Sequence, residues 1–185
     1  MVWKRKKQKQ KDDRLGFITD GTLRADIKIA LGFSSYLVRN SAKAKKHYRR
    51  ELRRVVILYV ASVVEALCLF LISRSSLSKE KMEYKNAHVI KIPDIVLLPK
   101  GKVLVVALQE KIPLSLTDTP FFDAINILRG GRIVTTAFAE RLHTLREKRN
   151  SQHLYNRASK HISATDVNQA FSALQGLFRI IQKKI

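Results

Sequence analysis

Between Leu145 and Tyr155 the chain reads Leu-Arg-Glu-Lys-Arg-Asn-Ser-Gln-His-Leu-Tyr. If helical, this stretch gathers Arg146, Arg149, Asn150 and His153 within roughly two turns. Together these side chains have the equipment to break an RNA phosphodiester without a metal. Such a reaction needs a base for the 2′-hydroxyl, an acid for the leaving oxygen and positive charge on the phosphate. An imidazole, with an ordinary pKa of about 6.5, takes or gives a proton near neutral pH. Guanidinium groups stay cationic and grip nonbridging oxygens through two parallel hydrogen bonds. The Asn150 amide can orient the substrate or the imidazole. A histidine at a helix end often does no more than favour the C-terminal dipole. The neighbouring arginines and asparagine set His153 apart, and His47, His88, His143 and His161 have no comparable set around them.

A helix must carry this cluster. Ile133/Val134, Ala137/Phe138, Leu142 and Leu145 recur every three to four residues and define one apolar face. With about 100° per residue and Leu145 at zero, Phe138 and Leu142 fall near 20° and 60°. Arg149, His153, Arg146 and Asn150 follow at about 40°, 80°, 100° and 140°. Cations therefore crowd the edge of a face that should be buried. Unpaired charge is costly to bury, so the pattern predicts that this edge lines a cleft or an interface.

The stretch resembles the signature of HEPN domains, an Arg, four to six residues and a His on a late helix, often within "LRxxRNxxHL". Six residues separate Arg146 from His153, with Arg149-Asn150 between them. Arg149 departs from the spacing, with only three residues between it and His153, so the resemblance favours Arg146 as the family's arginine. His153-Leu154-Tyr155 resembles the His-x-Tyr tail of some HEPN toxins. The resemblance implies a helical bundle and a homodimer that pairs two motifs at its interface, supplying the two proton-transfer groups one chain lacks. It implies a 2′,3′-cyclic phosphate and a 5′-hydroxyl as products, with Arg146, His153, Arg149 and Asn150 as the catalytic set. It also implies an acid on an upstream helix, matched here by Glu65, and modification of Tyr155 by a nucleotidyltransferase-type antitoxin.

Thirty-six Lys+Arg against fifteen Asp+Glu leave a formal net charge of +21, far more than solubility requires. Such a field draws polyanions, with RNA first among them. The 45% hydrophobic content argues against wholesale disorder, and 185 residues suit a single domain. Cys68 has no partner for a disulfide and lies in an apolar run, so it reads as a small core residue. The basic start, Met1-Val2-Trp3-Lys4-Arg5, lacks the apolar stretch of a secretory signal, and cytoplasm is expected. No histidine, cysteine or acid set has metal-ligand spacing, so neither zinc nor a cofactor is expected. Arg129-Gly130-Gly131-Arg132 is too short for a phosphate loop and reads as a helix break.

Residues 1–16 read as a basic flexible tail and 17–185 as one helical domain. From Thr22 a helical period runs through Leu23, Ile27, Phe33 and Leu37, with capping oxygens at Thr19-Asp20-Gly21-Thr22. A break is predicted near Asn40-Ser41. Beyond it a long helix spans Ala42 to Ser73. Its first half carries Lys43, Lys45, Lys46, Arg49, Arg50, Arg53 and Arg54, which would hold nucleic acid. Its second half, Val55–Ile72, is apolar and eighteen residues long, at the short edge for a membrane span. Glu65 near its middle would cost several kcal/mol at mid-bilayer, so a central bundle helix, buried nearly all round, is expected and a membrane partner is not. Glu65 then needs a cation, and Arg146 and Arg149 are both candidates.

Residues 74–86 are polar and read as a loop or short helix. A β-hairpin at about 87–110 is predicted from the runs 87–98 and 102–108 around Pro99-Lys100-Gly101, with Pro93 at an edge or kink. A short helix over Phe121–Leu128, the motif helix from Arg132 to about Leu154 and a final helix from Ser163 to about Lys183 complete the chain. The expectation is a mainly α, HEPN-like bundle of four to five helices with an inserted hairpin, acting as an endoribonuclease in a toxin–antitoxin or defence setting. The rival reading is a non-catalytic HEPN-like module that binds nucleic acid or a partner.

Overall fold

A computed structural model describes residues 15–75, 77, 80–90, 104–113, 115–116, 118–152 and 161–184. The chain divides into two compact units, one of residues 1–77 with 120–185 and one of residues 78–119. The first is mainly helical.

Helix α1 covers Gly21–Lys43, and of the candidate caps it uses Asp20, whose carboxylate accepts from the Leu23 amide at 3.0 Å. The break expected at Asn40-Ser41 lies further on, at Ala44-Lys45. Asn40 and Ser41 remain helical, with their side chains bonded back to carbonyls of the preceding turn. The Asn40 amide donates to the Tyr36 carbonyl at 2.9 Å, and the Ser41 hydroxyl donates to Val38 at 2.8 Å. Lys43 consequently ends α1 and Lys45 caps the next helix without joining it.

Helix α2, Lys46–Arg74, is the axis of the bundle and contacts every other helix of this unit. Ile57, Val60, Val64, Leu67 and Leu71 are fully buried. The helix is long and apolar enough to cross a membrane by length and composition, and 61% of its most apolar window is covered by the bundle. It is less enclosed than its composition predicts. Leu58, Tyr59 and Ser62 remain exposed, because α1, α3, α4 and α5 occupy its other sides.

Helix α3, Phe121–Gly130, buries Phe121, Ala124, Ile125 and Leu128. Gly131 caps it and Arg132 takes a left-handed φ of 54°, which turns the chain back. Helix α4 therefore starts later than expected, at Thr136, with the Thr135 hydroxyl accepting from the Phe138 amide at 3.3 Å. Val134 is buried from the turn, outside the helical face it was assigned to. Helix α5, Ala164–Lys184, opens on a reciprocal cap. The Ser163 amide donates to Asp166 Oδ2 at 2.8 Å, and the Asp166 amide donates to the Ser163 hydroxyl at 3.1 Å. Gly176 lets this helix approach α4, since a Cβ there would meet the Phe138 ring at 2.5 Å. The folded unit reaches back to Leu15 and Ile18, both buried, and the Phe17 ring meets that of Phe178 edge-on at 5.6 Å.

In the second unit, strands β1 (Glu80–Ile90) and β2 (Leu104–Pro113) pair antiparallel. The ladder runs from Glu80 opposite Pro113 to Lys85 opposite Leu108. It resumes from His88 opposite Val106 with one extra residue on β1, a bulge. Residues 80–86, expected as loop or helix, are thus extended, because pairing satisfies backbone groups whatever the polarity of the side chains. Pro93 and Pro99-Lys100-Gly101 lie outside the described residues.

Candidate functional site

Ala139, Leu142 and Leu145 bury one face of α4 (Thr136–Asn150) against the bundle, and the cations of its last two turns emerge beside that face. Each is tied to a different helix. Arg149 Nη2 lies 3.2 Å from Glu65 Oε2 on α2. Arg146 reaches α3, its guanidinium carbon 4.7 Å from the centre of the Phe122 ring, and its Nη2 lies 3.5 Å from Glu147. Lys148 Nζ meets Asp166 Oδ1 of α5 at 2.9 Å.

Of the two arginines Glu65 could have met, it takes Arg149. The packing of α2 against α4 makes the choice, bringing Glu65 to Arg149 while Arg146 turns to α3. The pair is neither sealed nor free. The side chain of Arg149 keeps 33% of its surface exposed, and that of Glu65 keeps 23%. One carboxylate oxygen fixes the guanidinium while part of the group still faces solvent. Arg146 is 21% exposed, and its Nε is buried without a hydrogen-bond partner among the described residues. Asn150 is exposed and is the last residue of α4. The wheel positions therefore apply only as far as Asn150. His153, Leu154 and Tyr155 lie outside the described residues.

His143 was set aside in the sequence, and the fold supplies it with neighbours. Its ring centre lies 5.1 Å from that of Phe122, so His143 and Arg146 both meet this ring of α3. Its Nδ1 is buried with no hydrogen-bond partner among the described residues. Partial burial, and then the charges of Arg146 and Arg129, hold its pKa below the usual value, with Glu147 opposing them. The three-residue step from His143 to Arg146 puts them on neighbouring helical positions, a signal present in the sequence. Phe122 and Arg129 come from another helix, and nothing local announces them.

A cavity of about 330 Å³ lies between α4 and α5, lined by Arg141, Thr144, Lys148, Asp166 and Gln169 among others. It opens on the Lys148 side of α4 and includes neither Arg146, Arg149 nor Asn150. Chemistry at the arginines would take place on the surface by the α2–α4 seam and not in this cavity.

The basic residues around the α1–α2 junction divide in two. Lys43, Lys45 and Lys46 are exposed, and Arg50 and Arg53 are half-buried. Arg49 is half-buried, with Nη2 donating to the Ala44 carbonyl at 3.0 Å across the break. Arg54 departs from the nucleic-acid-binding expectation. It is buried and its Nη1 lies 3.2 Å from Glu51, so it adds little to the charge that solvent meets. Cys68 is buried beside Glu65, and burial and then that charge push its thiol far up. It is a core residue and no nucleophile.

Compared with known protein families, curated proteins and solved structures, the chain matches none.

Proposed function

We propose that this chain is a HEPN-like, metal-independent endoribonuclease that acts as a homodimer in the cytoplasm, in a toxin–antitoxin or defence setting. The supporting observation is the Arg149–Glu65 pair. It anchors a guanidinium, partly exposed, on the α2–α4 seam in a chain whose His153 follows four positions later. Arg146 stands on the same face of α4, oriented by Phe122. In this reading Arg146 and Arg149 draw charge from the scissile phosphate, and Asn150 orients the strand. His153 of one protomer takes the 2′-hydroxyl proton while its counterpart across the two-fold axis protonates the leaving 5′-oxygen. The products are a 2′,3′-cyclic phosphate and a 5′-hydroxyl. The pairing of β1 and β2 belongs, on this reading, to a hairpin inserted into the bundle. Tyr155, two residues past the histidine, is where a nucleotidyltransferase-type antitoxin would block RNA.

A second reading, a non-catalytic module for nucleic acid or a partner, draws on the same contacts. Glu65 already neutralises Arg149, and Arg146 is occupied by Phe122 and Glu147. The deciding experiment incubates purified protein with total RNA in EDTA, wild type beside His153→Ala and Arg146→Ala. Cleavage lost in both variants, with unchanged circular dichroism, supports the nuclease. Cleavage that persists in both discards it. No cleavage by the wild type at high concentration, with RNA binding that weakens steeply in salt, establishes the binding module.

A further inference from the structure

Away from the motif, α1 and α2 leave a row of rings in solvent. Phe33, Tyr36 and Tyr59 are 40%, 56% and 40% exposed, and Tyr48 is 60% exposed. Phe33 joins the two helices. Its ring lies 6.4 Å from that of Tyr36 at 16° and 5.1 Å from that of Tyr59 at 63°. One turn beyond Tyr36, Asn40 enters a shallow groove of about 510 Å³ that runs past Lys43, Leu52 and Val55 to Tyr48. Lys43, Lys45, Lys46 and His47 stand exposed around its end. The groove's acid, Glu51, is held at 3.2 Å by Arg54. The surface thus combines aromatic faces with more exposed cations, Lys43, Lys45 and Lys46, than carboxylates, Glu51 being half-exposed and paired with Arg54, on a chain of net charge +21.

We propose that the α1–α2 face is a stacking platform for single-stranded RNA, with Phe33, Tyr36, Tyr48 and Tyr59 taking bases and Lys43 and Lys46 taking phosphates. The ligand rests on the RNA-directed reading above. A single strand is specified because bases in a duplex already stack on each other, whereas unpaired bases can turn their faces to protein rings. Lysine around aromatic faces matches a polyanion that also carries flat apolar rings. An apolar protein partner has no use for that charge.

The test is fluorescence anisotropy with a labelled 2′-O-methyl 12-mer, which lacks the hydroxyl that cleavage needs, against a blunt RNA duplex of the same sequence. The single strand should bind more tightly than the duplex. Phe33→Ala and Tyr36→Ala should each weaken it about ten-fold, Tyr36→Phe should restore it, and the duplex affinity should change little. All these side chains are exposed, and thermal melts confirm that the variants fold. Single-strand affinity unchanged in the Phe33→Ala/Tyr36→Ala double variant overturns the proposal. So does a dimer-to-monomer shift in that variant without loss of RNA affinity, which would assign the face to a second copy. The two readings fail separately. Ring-dependent binding with no cleavage of natural RNA leaves the platform and removes the nuclease. Cleavage indifferent to the ring substitutions leaves the nuclease and removes the platform.

Discussion

Arg149 and Glu65 meet where a charged side chain and an apolar seam would otherwise conflict. Exposed ion pairs contribute about 0–1 kcal/mol and breaking a fully buried one costs about 3–5 kcal/mol. With both groups partly exposed, Glu65→Gln should cost about 1 kcal/mol, read as a lower urea midpoint at an unchanged slope. A midpoint equal to wild type would show that the pair carries no weight. His143 supplies a pH dependence of known sign. Its folded pKa lies below the ordinary 6.5, first through burial and then through Arg146 and Arg129. As pH falls through 6.5 the unfolded chain takes up a proton that the folded chain resists, so stability present above that pH is lost towards the folded value. His143→Gln should therefore flatten the fall in melting temperature between about pH 7 and 5. An identical slope in both proteins would show that His143 has ordinary surroundings. At this scale the sequence marked Arg146, Arg149 and Glu65 through charge placed against a helical period, but it could not choose between the arginines. His143 was overlooked because Phe122 and Arg129 approach it from another helix.

The elements rest on their ends. Ser163 and Asp166 close the start of α5, and Asp166 also receives Lys148 from α4 at 2.9 Å. One carboxylate therefore starts a helix and pins it to its neighbour. Burial raises its pKa, but hydrogen bonds from Lys148 and Ser163 outweigh burial and hold the carboxyl below its ordinary value. Asp166→Asn should lower stability by about 1 kcal/mol at neutral pH, the usual scale of a lost cap. Because the folded pKa is depressed, the difference from wild type should be full above the ordinary 3.8 and close as pH falls through the folded value. A gap that persists into strong acid would mean that packing, and not charge, was lost. Helix identity was legible where the apolar period was strong, in α3 and α5, and where the run was apolar throughout, in the second half of α2. Boundaries were less so. The α1–α2 break falls past Asn40-Ser41, at Ala44-Lys45, with their side chains bonded back inside the helix, and α4 begins late, after Arg132 turns with a positive φ. Residues 80–86 joined a strand through pairing with a partner more than twenty positions away in sequence.

Across the whole molecule the governing quantity is charge. Strands bound by Lys43 and Lys46 release counterions, so affinity for single-stranded RNA should fall linearly on a log–log plot against salt. The double variant Lys43→Gln/Lys46→Gln should reduce that slope by about 1.4, at about 0.7 per lysine. An unchanged slope would place the RNA elsewhere on the surface. The excess of Lys and Arg, the apolar centre of α2 and the crowded cations of residues 146–149 were settled by composition and order alone, since charge and helical period are local properties of a chain. Which carboxylate meets which guanidinium, which arginine is buried and which rings stay in solvent were decided by tertiary packing. Each depends on what a distant helix places within a few ångströms, and no spacing along α4 or α2 encodes that distance.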